Sequence, residues 1–255
     1  MSIQQSVYPK PSANPTMPAH VNAGGYVSPR NSNSTYPVYT VADIPANSLI
    51  IFAAGLGGSS GLTAPSSVSD AINGTYTVGP SIGGNLDAGT FGLIALYYVK
   101  TSVDTPAGTP VNVVQGGMTG LVNGIAEYAI SAVTPANASF VVDASNATNN
   151  FSLTAGTNFS TGLTGTTSNQ ELVIQSSILI NSYTNGLLVT PENPDYYGPA
   201  SGWTRINTNS TYSPAIDANI EAGPTLTAQS FFSASWINGY NWGAWQAAIA
   251  LKNWY

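Results

Sequence analysis

The chain contains no cysteine, which excludes disulfide bonds, thiolate nucleophiles and cysteine-ligated zinc or iron–sulfur sites. Its single histidine, His20, lies in a proline-rich segment. A catalytic triad requires a buried, oriented imidazole, and a histidine-ligated metal site usually draws two or more histidines from one chain. We therefore interpret His20 as an exposed residue, and we expect no catalytic residue, no metal site and no cofactor.

Charge is also scarce. Charged residues make up 6% of the chain, only five residues are lysine or arginine, and the formal net charge is −6. Because so few cations cannot form a basic stripe, we expect no binding to nucleic acid or to a membrane surface. No apolar run is as long as a transmembrane helix, and the first residues lack the cationic and apolar regions of a signal peptide. We expect synthesis in a cytoplasm without an export signal.

The chain is rich in residues that form β-structure. Its 255 residues include 14 tyrosines, 7 phenylalanines and 5 tryptophans, and 43% are hydrophobic, so it can bury a core. Short β-branched and aromatic runs alternate with turn residues, which predicts an all-β fold, a jelly-roll-like antiparallel β-sandwich of two facing sheets. The Ala-rich residues 242–251 have no helix cap, so we predict a strand there too. The other predicted strands lie at residues 48–54, 91–100, 111–114, 124–130, 140–143, 171–180 and 231–236.

Residues 1–40 differ from the rest because prolines recur there among serines and asparagines. This composition is typical of extended chain that does not pack on itself. We therefore predict an extended N-terminal arm over residues 1–40 and a single sandwich domain over residues 41–255. The arm is predicted to cross onto a neighbouring subunit and to bury Tyr8, Tyr26 and Tyr36 there.

A weak repeat relates the two halves of the domain. Leu49-Ile-Ile51 matches Leu172-Val-Ile174, and Ile125-Ala-Glu-Tyr-Ala-Ile130 matches Ala244-Trp-Gln-Ala-Ala-Ile249. Each half alone presents one apolar face that it cannot bury. We interpret the repeat as two sets of strands that face each other across one core.

An ordered series of short motifs runs along residues 45–252. It consists of Asn47-Ser-Leu-Ile-Ile51, Val68-Ser-Asp-Ala-Ile-Asn-Gly-Thr-Tyr76, Ala95-Leu-Tyr-Tyr98, Ile125-Ala-Glu-Tyr128, Glu171-Leu-Val173, Gly202-Trp-Thr204 and a final strand from Trp245 to Lys252. In this series the chain resembles a β-sandwich surface module of bacteria and phages with the pattern ALYY…IAEY…GWT…W-x-AA-x-K. The resemblance implies a jelly-roll-like sandwich of the kind found on phage virion proteins, and it implies no catalytic residue.

Two polar groups could carry chemistry. Glu127 is flanked by apolar residues on a predicted strand, and an inward orientation would raise its pKa and suit it to acid catalysis. The simpler interpretation is a carboxylate at the rim, hydrogen-bonded to backbone or to Arg205. Asp70 and Asn73 offer oxygens of the kind that Ca²⁺ accepts, but a local Asx turn uses the same residue types.

Aromatic residues crowd the last third of the chain. Flat rings on one face of a sandwich could stack on sugars, and the candidates for glycan stacking are Trp203, Tyr240 and Trp242. Packing in the core or at a subunit interface is the favoured interpretation, since tryptophan and tyrosine are enriched in both places.

Together these observations predict a bacteriophage virion structural protein and not an enzyme. It would be a capsid decoration, collar or tail-surface subunit, anchored by its arm to other virion subunits in an oligomer or lattice. The alternative is a glycan-binding adhesin or fibre-tip module that contacts a surface glycan.

Overall fold

The computed structural model describes residues 16–28, 35–58, 62–86, 89–115, 125–151, 158–160, 171–181, 198–199, 203–207, 214–221, 229–231 and 242–255. Within these ranges the protein is all-β, with antiparallel strands and no helix, as the sequence predicts. The strands are β1 (Ala19–Ser28), β2 (Thr35–Tyr39), β3 (Leu49–Gly58), β4 (Ser67–Asp70), β5 (Gly74–Thr75), β6 (Thr77–Asn85), β7 (Phe91–Lys100), β8 (Pro110–Val114), β9 (Ile125–Thr134), β10 (Val141–Asn150), β11 (Asn158–Ser160), β12 (Glu171–Asn181), β13 (Gly198–Pro199), β14 (Thr204–Arg205), β15 (Ala215–Glu221), β16 (Gln229–Phe231) and β17 (Trp242–Lys252). The Ala-rich C-terminal segment is a buried strand, which confirms that prediction.

The strands form two large and two small sheets. Strands β1 to β9 build sheet A, in the order β1-β9-β3-β7-β6, and sheet B, in the order β2-β8-β4-β5. Strands β10 to β17 build sheet C, in the order β10-β17-β12-β15-β14, and sheet D, in the order β11-β16-β13. Read along the chain, sheet C repeats the strand order of sheet A, and sheet D repeats that of β2, β8 and β4. The chain is therefore an internal duplication of one jelly-roll-like arrangement.

Sheets B, A and C stack as three layers, so the prediction of only two facing sheets is wrong. One face of sheet A carries Ile50 and Phe52, which pack in a core closed by residues of sheet B such as Val111. Its other face carries Leu49 and Ile51, which pack against residues of sheet C. All ten residues of β3 are buried for this reason, and the strand has an almost continuous apolar sequence because both faces are covered.

The first half closes a core of its own, contrary to the expectation that neither half can bury its apolar face alone. All the described residues of the core between sheets A and B come from the first half. The two halves then share a second core, between sheets A and C. At Gly55 these sheets approach so closely that a Cβ atom would lie 2.7 Å from Cγ2 of Ile178.

The predicted arm is wrong for two of its segments, because they are strands of the fold. Residues 19–28 form β1, which pairs with β9 at one edge of sheet A, and residues 35–39 form β2, which pairs with β8. Residues 19–28 contain no proline, although the composition averaged over residues 1–40 is proline-rich. Pro37 lies in β2, an edge strand, where the missing N–H need not interrupt a ladder.

Candidate functional site

The outer face of sheet B is an uncharged sheet surface. Alternation along β2, β4 and β8 turns four valines, Val38, Val68, Val111 and Val113, into the core and the intervening residues outward. Tyr39 is 55% exposed and Val114 is 40% exposed. The outward residues are Thr35, Pro37, Tyr39, Ser67, Ser69, Pro110, Asn112 and Val114. None of them carries a charge.

At one end of the first half, two loops with the same sequence pattern bind each other. Residues 40–48 read T-V-A-D-I-P-A-N-S, and residues 101–109 read T-S-V-D-T-P-A-G-T. An antiparallel bridge joins Ile44 and Thr105 at the centre of the pair. We call these segments the paired loops. The shared T-x-x-D-x-P-A-x-S/T pattern could have been found by comparing the sequence with itself, but its spacing falls inside one half and so escapes a search for half-length repeats.

The hydrogen bonds of the paired loops are reciprocal. Asp43 Oδ1 accepts a bond from Ala107 N at 2.8 Å, and Asp104 Oδ1 accepts one from Ala46 N at 2.8 Å. The hydroxyl groups of the first threonine in each loop form a second reciprocal pair of hydrogen bonds. Thr40 Oγ1 donates to the Pro106 carbonyl at 2.8 Å, and Thr101 Oγ1 donates to the Pro45 carbonyl at 3.0 Å.

A cleft of about 350 Å³ lies between the paired loops. Its lining residues are Asp43, Ile44, Pro45, Asp104, Thr105 and Pro106. Among these described lining residues the two carboxylates are the only charged groups, and each already accepts a hydrogen bond from a backbone amide. Within the described ranges, no group of three or more His, Asp or Glu side chains has the geometry to hold a metal ion.

The expectation that Glu127 is a carboxylate at the rim of the sheet is wrong. Arg205, which was one of its expected partners, donates a hydrogen bond to Asp217. Glu127 is 1% exposed and lies opposite Gly55 in the pairing of β3 with β9, on the face that packs against sheet C. Its Oε2 atom has no hydrogen-bond partner among the described residues. Burial raises the pKa of this carboxyl to about 9, so Glu127 is protonated at neutral pH.

The carboxylate of Asp70 is occupied by local donors. Oδ1 accepts bonds from the backbone N–H groups of Ile72 at 2.7 Å and Asn73 at 2.6 Å, and Oδ2 accepts the Tyr76 hydroxyl at 2.8 Å. Burial, with the adjacent Asp70 carboxylate, raises the pKa of the Tyr76 hydroxyl. This arrangement is an Asx-type turn, and it uses the oxygens that a calcium ion would need.

The predicted stacking and arm residues do not converge on one site. Trp203 is 8% exposed and packs with Val173, Ala248 and Ala250 on sheet C, so its ring is not an open platform for a sugar. Tyr240 lies outside the described residues, as does the side chain of Trp242.

The three predicted arm tyrosines have different positions. Tyr8 lies outside the described residues. The backbone of Tyr26 pairs with Tyr128 in sheet A, but its side chain is not described. Tyr36 is half-buried on β2, opposite Val113. His20 lies on β1 and is exposed, and its Nδ1 atom is 3.3 Å from the Pro18 carbonyl oxygen.

No protein-family model, curated protein or solved structure matches the chain. In the part of the chain that the structure describes, no helix is long and apolar enough to cross a membrane.

Proposed function

We propose that the protein is a non-enzymatic structural subunit of a larger assembly, an outer component of a bacteriophage particle such as a capsid decoration, collar or tail-surface protein. The observation that carries the proposal is the outer face of sheet B, which is uncharged and exposes Tyr39 and Val114. Jelly-roll sandwiches recur in viral capsid proteins, and the duplicated arrangement of this chain belongs to that architectural class.

The composition of this face suits a protein–protein contact. Charged residues are depleted in the centres of interfaces, and tyrosine is enriched there. Burial of Tyr39 and Val114 against a partner would remove apolar surface from water at about 25 cal/mol per Å². We propose that a second copy of this chain covers the face, because a particle surface is built from repeated subunits.

The proposal is tested by the concentration dependence of molar mass, measured by light scattering on the purified full chain. We expect oligomers whose association weakens by about tenfold or more with Tyr39→Lys or Val114→Lys, since burial of one unpaired charge costs more than about 1.4 kcal/mol. The matched control is Val78→Lys, at a position that is 67% exposed on β6 in another sheet. A chain that stays monomeric at every concentration, or that responds equally to all three substitutions, contradicts the proposal.

A further inference from the structure

Three ionisable side chains lie at one end of sheet C, on three neighbouring strands. Asp143 lies on β10, Lys252 on β17 and Glu171 on β12, and β17 runs between the other two strands. Lys252 Nζ donates a hydrogen bond to Asp143 Oδ1. The side chain of Asp143 is 5% exposed and Glu171 is 0% exposed, whereas the side chain of Lys252 is 31% exposed. We call these three residues the ionisable trio.

A β-bulge directs the carboxylate of Asp143 towards Lys252. The residues on either side of Asp143 pair with Leu251 and Ala250, which are adjacent in β17, so Asp143 is the extra residue of β10 in this pairing. A bulge interrupts the regular alternation of a strand and changes the direction of a side chain. The contact between the amine and the carboxylate is therefore set by the backbone.

The register of β12 and β17 places Glu171 beside Lys252. Leu172 pairs with Leu251, so Glu171 and Lys252 occupy the next pair of positions in this register. Both leucines pack in the core between sheets A and C, and alternation turns Glu171 and Lys252 to the opposite face of sheet C. Cross-strand neighbours on one face have Cβ atoms about 4.5–5.5 Å apart. The carboxyl group of Glu171 can therefore reach the amine.

The first half shows that side chains at these positions touch. Leu49 pairs with Val133 there, as Leu172 pairs with Leu251 in the second half. Ser48 and Thr134 occupy the next pair of positions, and their hydroxyl oxygens are 2.8 Å apart. The second half thus replaces a neutral hydroxyl pair by an acid and an amine, and it adds the bulged aspartate.

We propose that the ionisable trio forms an intramolecular amide bond between Lys252 Nζ and Asp143 Cγ, with Glu171 as the group that carries a proton. The ammonium first gives one proton to the Asp143 carboxylate, and the neutral amine then attacks Cγ. Glu171 takes a second proton from Nζ and delivers it to the leaving hydroxyl group. A C–N bond forms, a C–O bond breaks, one water molecule leaves and Glu171 returns to its starting state.

Two features of the site favour the amide over the ion pair. The reacting groups are held in contact, and effective molarities of well-oriented intramolecular reactions reach about 10⁵ M or more. Condensation also replaces an ammonium and a largely buried carboxylate by one neutral amide, which removes the cost of burying charge. The partly exposed side chain of Lys252 leaves the released water a path to solvent. This inference does not depend on the assembly function proposed above.

The test is the intact mass of the denatured full chain, followed by digestion with trypsin. We expect a mass below that of the sequence by one water molecule. Because lysine and arginine occur only at positions 10, 30, 100, 205 and 252, the amide should join residues 101–205 to residues 206–255 in one branched fragment. Without the bond, trypsin separates residues 101–205 from residues 206–252.

Lys252→Arg keeps the positive charge beside Asp143 but stays protonated, so it supplies no nucleophile. This variant should fold, as circular dichroism will show, and should have the full sequence mass. Its unfolding temperature should be lower than that of the wild type by about 5–10 °C, because the bond closes a long loop of the unfolded chain. Glu171→Gln should slow formation of the bond by about 100-fold or more, since it removes the proton carrier.

The matched control is Glu127→Gln, which changes another buried glutamate, on sheet A, and should leave the mass loss and the branched fragment unchanged. The proposal is overturned if the folded wild type keeps the full sequence mass after prolonged incubation at alkaline pH. It is also overturned if Lys252→Arg still loses water, or if fragmentation places the lost water elsewhere. Equal rates of bond formation in the wild type and Glu171→Gln would overturn the role of Glu171.

Discussion

Arg205 on β14 and Asp217 on β15 form an ion pair across neighbouring strands of sheet C, with 2.6 Å between Nε and Oδ1. The side chain of Asp217 is 2% exposed, and that of Arg205 is 28% exposed. Burial raises the pKa of Asp217 and the Arg205 charge opposes that rise. The guanidinium is therefore the group that keeps a deeply buried carboxylate compatible with the fold.

Removing the cation should destabilise the protein strongly. We expect Arg205→Ala to lower the free energy of unfolding by about 3 kcal/mol, since it leaves a buried carboxylate without its charge partner. The double variant Arg205→Ala with Asp217→Asn should recover part of that loss. Urea unfolding of the wild type, the single variant and the double variant measures both effects, and equal losses in the two variants would contradict this account.

Glu127 should make the stability of the protein fall as pH rises. Its pKa is raised to about 9 in the folded protein, whereas the unfolded chain releases the proton near its ordinary pKa of about 4.3. The folded state therefore binds more protons between these two values, so stability decreases across this range by up to about 1.4 kcal/mol per pH unit.

Glu127→Gln keeps the shape and stays neutral at every pH. The variant should match the wild type near pH 4 and exceed it by a margin that grows towards pH 9. Unfolding free energies measured across this range provide the check. Parallel curves for the two proteins would show that Glu127 is not a buried acid.

The paired loops should contribute to stability as a unit. Asp43→Ala and Asp104→Ala each remove one acceptor of a backbone N–H, and each should cost about 1 kcal/mol. Because the two bonds hold the same pair of segments, the double variant should cost less than the sum of the singles. A strictly additive double-mutant cycle, measured by chemical denaturation, would mean that the loops act independently.

Deleting residues 2–40 should unfold the first half. The deletion removes β1 and β2, and with them Ala23 and Val38 from the core between sheets A and B. Deleting only residues 2–15 removes none of the described strands and should preserve the cooperative thermal transition. Circular dichroism melts of both truncations distinguish a strand-forming segment from a dispensable arm, and a normal melt for the longer deletion would refute the strand assignment.

Much of the strand content follows from the sequence because its signal is local. The sequence predicts strands for the apolar run that contains Leu49 and for the Ala-rich segment that contains Ala247, and both segments are strands. Composition averaged over residues 1–40 predicts an extended arm and misses the strand at residues 19–28. That strand contains no proline, but prolines lie on either side of it.

The repeat shows why the candidate site could not be derived in the same way. The sequence match aligns Glu127 with Gln246. In the structure, Leu49 pairs with Val133 and Leu172 pairs with Leu251, so Val133 and Leu251 are equivalent positions. Counting back from them along each strand makes Glu127 equivalent to Trp245. A register error of one residue moves every side chain of a strand to the other face. That error hides the fact that Lys252 corresponds to Thr134.

By itself, the sequence determined the all-β class, the scarcity of charge and the positions of most long strands, because alternation and composition act over a few neighbouring residues. Only the tertiary structure decided that the sheets form three layers and that Thr134 and Lys252 are equivalent. It also decided that Glu127 lies buried between sheets A and C. These properties depend on which strands pair and in what register, and contacts between residues distant in the chain set both.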